Sequence, residues 1–333
     1  MPMKKFINNP DNLTAELLEG YCAAHPARVK LVSEKIVARA TPKDESKVAV
    51  LTLGGAGHEP ALSGFVGEGM LDASVVGDIF AAPSAPKVLE AMRMLKRDAG
   101  ILFVVLNHAG DVMSGNMALE MAKDEGINVK MILTHEDIAP GADAPIEDRR
   151  GLAGCIPLFK VAGAAAERGM NLDEVLAVAE KFNNNMATLA VALKTATHPQ
   201  SGEAIFELAD DEMEIGMGQH GEAGTGRSKL LSADETAEKM AAQVLPAANC
   251  TSGDKIMLMI NGTGPTTLME LFIVFRAVKR YAESQGMTVA HAMVDEYLTV
   301  QEMAGFQMVA AKLDDQLLDL LKAPSDAPFW VTR

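Results

Sequence analysis

This chain has few cysteines, no long apolar run and no surplus of positive charge, and each shortage closes off a class of function. Only three cysteines occur in 333 residues: Cys22, Cys155 and Cys250. They stand far apart without metal-ligand spacing, which argues against a disulfide scaffold or a cysteine-bound zinc and fits a reducing compartment. Each reads as a small buried hydrophobe. No stretch approaches the ~20 apolar residues needed to cross a bilayer. The amino terminus, Met1 to Pro10, lacks the apolar core of an export signal, so a cytoplasmic location is expected. Lys and Arg total 30 against 45 Asp and Glu, a net charge of −15. Such a surface repels phosphate backbones and anionic lipid, so neither nucleic acid nor a membrane is an expected partner.

What remains describes a globular α/β protein. Hydrophobic residues make up 48% and charged residues 23%, which excludes a largely disordered chain. Val48 to Leu53, Ile101 to Leu106 and Val129 to Leu133 read as buried strands. Between them, Pro86 to Leu95 and Met113 to Ala122 carry apolar residues at helical spacing. This β-α-β-α rhythm predicts a largely parallel sheet with helices on its faces. Helical patterns at 162–167 and 172–181 follow. Ile256 to Ile260, Met287 to Val294 and Met308 to Leu313 then read as strands, with a helix over Leu268 to Tyr281. Thr195 to Gly202 is polar and broken, and His198 within it is expected to be solvated. The expectation is two α/β domains, 1–190 and 191–333, each a largely parallel or mixed sheet flanked by helices.

Three histidine- or aspartate-bearing loops carry the chemistry. Gly54-Gly55-Ala56-Gly57-His58-Glu59-Pro60 and Asn107-His108-Ala109-Gly110-Asp111 each follow a predicted strand directly. Ligands of parallel sheets sit beyond those strand ends, so the two loops are expected to share one pocket. The third loop, Gly216-Met217-Gly218-Gln219-His220-Gly221-Glu222, sets a histidine among glycines, where backbone can approach a small ligand closely. A neutral imidazole there can serve as base, ligand or nucleophile. Asp210, Asp211, Glu212 and Glu214 just upstream are expected to form a solvated edge rather than a metal site. No nucleotide motif stands out. Gly221 to Ser228 has the glycine spacing of a phosphate loop but carries Arg227 where lysine is needed, and Gly54 to Gly57 is not a dinucleotide fingerprint.

These loops, in this order with Gly77-Asp78-Ile79-Phe80-Ala81-Ala82-Pro83-Ser84, Asn261-Gly262-Thr263-Gly264 and Glu302-Met303-Ala304-Gly305-Phe306, resemble the substrate-binding subunit of the dihydroxyacetone kinase family. The resemblance implies that His220 adds to the ketone carbon of a short ketose, giving a covalent hemiaminal. It implies that Asp111 is general base for the terminal hydroxyl and that His58 assists the addition. Gly55, Gly57, Ala82, Leu106 and His108 would line the substrate, while Glu59-Pro60 shapes the turn. It further implies a homodimer and a separate nucleotide-binding subunit carrying ADP or ATP with magnesium. That subunit either exchanges ATP for ADP or is recharged by a phosphoenolpyruvate-dependent phosphocarrier, and this chain would bind no cofactor or metal itself. The family pattern also differs here. Leu106 replaces a lysine, His108 a tyrosine, Ala109 a threonine, and Ala56 and Ala82 replace serines. Fewer polar contacts and a wider pocket are expected, which points towards dihydroxyacetone or a larger ketose such as erythrulose. The alternative is a ketose sensor that controls a transcription regulator without catalysis. Retained Asp111 favours the kinase, since binding alone needs no base.

Overall fold

The structure, a computed structural model, describes residues 4–141, 143–222, 224 and 226–333. After helix α1 (Leu13–Ala24) come strands β1 (Val29–Ser33), β2 (Ile36–Arg39), β3 (Ala49–Ala56) and β4 (Ala73–Ile79). Helix α2 (Ala85–Leu95), β5 (Ile101–Leu106), α3 (Ala109–Asp124) and β6 (Val129–Thr134) complete the first sheet. Its order is β1-β2-β4-β3-β5-β6, with β4, β3, β5 and β6 parallel and β1 and β2 antiparallel at one edge. The strand β5 reads Ile-Leu-Phe-Val-Val-Leu and is buried throughout, as a strand covered on both faces must be.

Helices α4 (Cys155–Glu167) and α5 (Leu172–Asn183) lead to the second sheet. That sheet holds β7 (Met186–Lys194), β8 (Glu212–Ile215), β9 (Arg227–Lys229), β10 (Lys255–Gly262), β11 (Thr288–Asp295) and β12 (Ala304–Leu313), in the order β11-β10-β12-β7-β8-β9. It is mixed, with β10 and β11 parallel and its other pairs antiparallel. Helices α6 (Ala233–Ala247) and α7 (Leu268–Ser284) pack on one face of it. Helix α8 (Asp315–Lys322) and the hairpin β13 (Ser325–Ala327) and β14 (Trp330–Thr332) close the described chain. Local signals set several helix starts. Asn171 with Glu174, Ser232 with Glu235 and Thr267 with Glu270 form reciprocal capping boxes before α5, α6 and α7.

The layers run helix, sheet, helix, sheet, helix. The outer layer α2 and α3 packs on the first sheet, and α4, α5 and α8 fill the space between the sheets. Small residues allow this: a Cβ on Gly163 of α4 would stand 2.4 Å from the Met70 Cα. The expected division at residue 190 falls inside β7, which pairs with β12 from Met186 to Lys194. The chain passes from α5 to β7 through Asn184 and Asn185 alone, with none of the composition of a linker. The polar stretch at 195–202 is instead an excursion between two neighbouring strands of the second sheet. Among the described residues, no helix is long and apolar enough to cross a membrane.

Candidate active site

The strand β3 delivers His58. Past its end the chain turns at Gly57, whose φ of 103° favours glycine. The Gly57 N–H donates to Glu59 Oε1 at 3.0 Å, so Glu59 shapes this turn. His58 is 7% exposed, and its Nδ1–H donates to the Thr299 carbonyl at 2.8 Å. That bond leaves Nε2 as the acceptor of a neutral ring. The strand β5 delivers His108 and Asp111: His108 stands at the N-cap of α3 and Asp111 lies in its first turn, 9% exposed. The second sheet contributes the loop after β8, in which His220 is half-buried.

These groups meet. His58 Nε2 lies 3.1 Å from His220 Nε2, and Phe80 packs on both rings at centroid distances of 5.1 and 5.5 Å. His108 stands edge-on to His220 at 5.2 Å. Glu222 orients the nucleophile candidate: it accepts the His220 backbone N–H at 2.8 Å and faces its Nδ1 at 3.3 Å. Gln219 fixes the loop by donating to the Gly151 carbonyl at 3.1 Å. Asp111 Oδ1 is buried and has no hydrogen-bond partner among the described residues. A cavity of about 30 Å³ lies between these groups, walled also by Gly55, Ala82, Leu106 and Leu298.

Burial governs the charges. It pushes the His58 imidazole down to about 3, with help from the neighbouring His220. It pushes Asp111 up to about 6, against the pull of His108 and His220. Burial would also lower His108, but the Glu222 hydrogen bond and charge outweigh it and hold that ring above its ordinary value. For Glu222 burial works upward, yet the two histidines hold its carboxyl far below the usual range. At neutral pH the site therefore offers a neutral His58, a fixed carboxylate and a poised acid–base group.

Several expectations need correction. The site is not wide: about 30 Å³ has room for roughly two waters. Phe80, Leu62 and His108 share its wall with Ala82 and Leu106. Gly57 is not on the wall but behind it, accepting the Gln301 backbone N–H at 3.3 Å. His198 is half-buried against Phe80 at 5.7 Å, because the 195–208 excursion folds back over the pocket. Glu214 is buried, not solvated, and accepts the Gly224 N–H at 2.7 Å. Arg227 and Ser228 lie in β9, so the phosphate-loop spacing is not followed by a helix there. Glu222, Phe80 and Thr299 had no assigned role in the sequence. The only signal was a glutamate two residues after His220. A larger cavity of about 560 Å³ adjoins Gly54 and Gly55, but His58, Asp111 and His220 do not line it.

The fold and site together define a two-sheet α/β protein that presents a histidine pair and a buried carboxylate where its sheets meet. The sequence profile of the Dak1 domain matches residues 19–329, and the chain belongs to that family. It is 37% identical to a PTS-dependent dihydroxyacetone kinase 1, dihydroxyacetone-binding subunit DhaK, of Listeria innocua, over 98% of this chain and all of the relative. It is 36% identical to an L-erythrulose kinase of Pectobacterium atrosepticum, over 98% of this chain and 56% of that one. Among solved structures, a dihydroxyacetone kinase operon co-activator, Dha-DhaQ, superposes with a TM-score of 0.90 at 32% identity, covering 96% of this chain and 98% of that one.

Proposed function

We propose that this chain is the ketose-holding subunit of a kinase, capturing a short ketose on His220 while a nucleotide-binding partner phosphorylates its terminal hydroxyl. The observation that carries this reading is the convergence of His58, His220 and the unpartnered Asp111 oxygen on one small cavity. The two facing Nε2 atoms, 3.1 Å apart, are compatible only with a proton between them. As His220 Nε2 attacks the ketone carbon, that proton passes to His58 and then to the carbonyl oxygen. One N–C bond forms as the Nε2–H bond breaks, the C=O π bond becomes C–OH, and the His220 ring ends neutral, as it began. Asp111 then takes the proton of the terminal hydroxyl as it attacks phosphorus.

Full-length likeness to a PTS-dependent kinase subunit supports a partner whose nucleotide is recharged by a phosphoenolpyruvate-dependent carrier. Nucleotide and magnesium belong on that partner, with the net charge of −15 opposing polyphosphate here. The tight pocket favours dihydroxyacetone over larger ketoses. The co-activator likeness keeps one second reading, a ketose sensor without catalysis. Carbon NMR of labelled dihydroxyacetone and erythrulose tests the capture. A hemiaminal-type carbon is expected in wild type and not in His220→Ala; a ketone signal unchanged in both would sink the reading. Turnover with a purified partner subunit separates kinase from sensor.

A further inference from the structure

Glu222 is held between two histidines whose nitrogens converge on one point. One ligand atom each from His108, His220 and Glu222 lie within 4.8 Å of one another. Glu222 Oε1 is 3.3 Å from His220 Nδ1 and 3.7 Å from His108 Nδ1. Bonds of ~2.0 Å to a tetrahedral zinc ion put its ligands ~3.3 Å apart, which the Glu222–His220 separation matches and the Glu222–His108 one exceeds slightly.

The hydrogen bonds on the far sides of the rings point the same way. His108 Nε2 lies 2.8 Å from the Gly151 carbonyl and must donate to it, which leaves a lone pair on Nδ1 of the neutral ring. His58 Nδ1–H is committed to Thr299, so its Nε2 can accept a proton borne by His220 Nε2. That tautomer frees His220 Nδ1. The second Glu222 oxygen is anchored by the His220 backbone N–H at 2.8 Å, aiming the first. Every ring nitrogen then has a role, and three lone pairs face one space. Without a metal ion, His108 Nδ1 must carry a proton to face that carboxylate.

We propose that His108, His220 and Glu222 form a three-ligand zinc site with an open fourth position. Two imidazoles and one carboxylate suit Zn²⁺ and disfavour Mg²⁺, which takes oxygen ligands. His108 replaces the tyrosine of the family pattern, so the site is a property of this chain's departure from it.

The test uses the full-length protein after chelator treatment. Zinc is titrated against a chromogenic chelator, and Co²⁺ is bound in its place to read coordination from the visible spectrum. One zinc per chain is expected, with an intense Co²⁺ band of low coordination number. His108→Phe and Glu222→Gln should each weaken zinc by more than the ~10–100-fold typical of outer-shell changes, with circular dichroism confirming the fold. Equal affinity in wild type and His108→Phe, or a pale six-coordinate Co²⁺ spectrum, would overturn the site and leave an imidazolium–carboxylate pair.

Discussion

Asp111 shows how one side chain acquires a task from its surroundings. Burial lifts its carboxyl to about 6, and only the imidazoles of His108 and His220 hold it from rising further. In its proposed role as general base it must be ionised, so it would be competent above about pH 6 and lost below it. Turnover with the partner subunit should be flat above that pH and fall about tenfold per unit beneath it, following one proton. Asp111→Asn should lower kcat by ~10²–10⁴-fold yet keep the hemiaminal signal. Equal loss of both would assign Asp111 to architecture instead of proton transfer. His58, Asp111 and His220 were legible because each stands in a glycine-bearing loop. Glu222 was not, since its role depends on a loop turning its carboxylate back onto the ring two residues earlier.

Elements were legible where their residues form an unbroken apolar run. The apolar runs of β3, β5, β6 and β10 announce themselves, whereas β4 is Ala-Ser-Val-Val-Gly-Asp-Ile and carries no such signal. Its neighbours in the sheet decide it. Helix α3 begins at Ala109, ahead of the Met113 expected from periodicity, and this places Asp111 in its first turn. The close approach of β3 to the turn after β4 makes a prediction. A Cβ on Gly55 would meet the Ala81 nitrogen at 2.8 Å and its carbonyl oxygen at 3.1 Å, both backbone. Gly55→Ala should destabilise the fold by ~1–3 kcal/mol and weaken ketose binding with it. Gly20, mid-helix in α1 with open space around it, is the contrast: Gly20→Ala should gain ~0.5–1 kcal/mol. Urea midpoints for the two variants would expose an error in either sign.

At the scale of the molecule, the site is a seam. His58 and Asp111 come from the first sheet, His220 and Thr299 from the second, and α4 lies between the sheets. The sequence showed two sheets but not their shared middle layer, because α4 looks like any alanine-rich helix until both its faces are covered. A ligand bonded to one half and packed on the other must hold the halves together. Dihydroxyacetone at ~100 times its Kd should therefore stabilise the protein by ~2.7 kcal/mol, raising Tm in a concentration-dependent way. His220→Ala should show no such rise in a thermal scan; a rise of equal size would place the binding elsewhere.

The cavity of about 30 Å³, walled on one side by Phe80 with His198 behind it, also sets a clock. A space for roughly two waters cannot receive a ketose until the aromatic wall swings aside. Capture should then run no faster than that motion, whatever the sugar concentration. In stopped-flow mixing, the observed rate should climb and level off at the opening frequency, and Phe80→Ala should lift the plateau. A rate that rises linearly to high concentration would mean the door stands open.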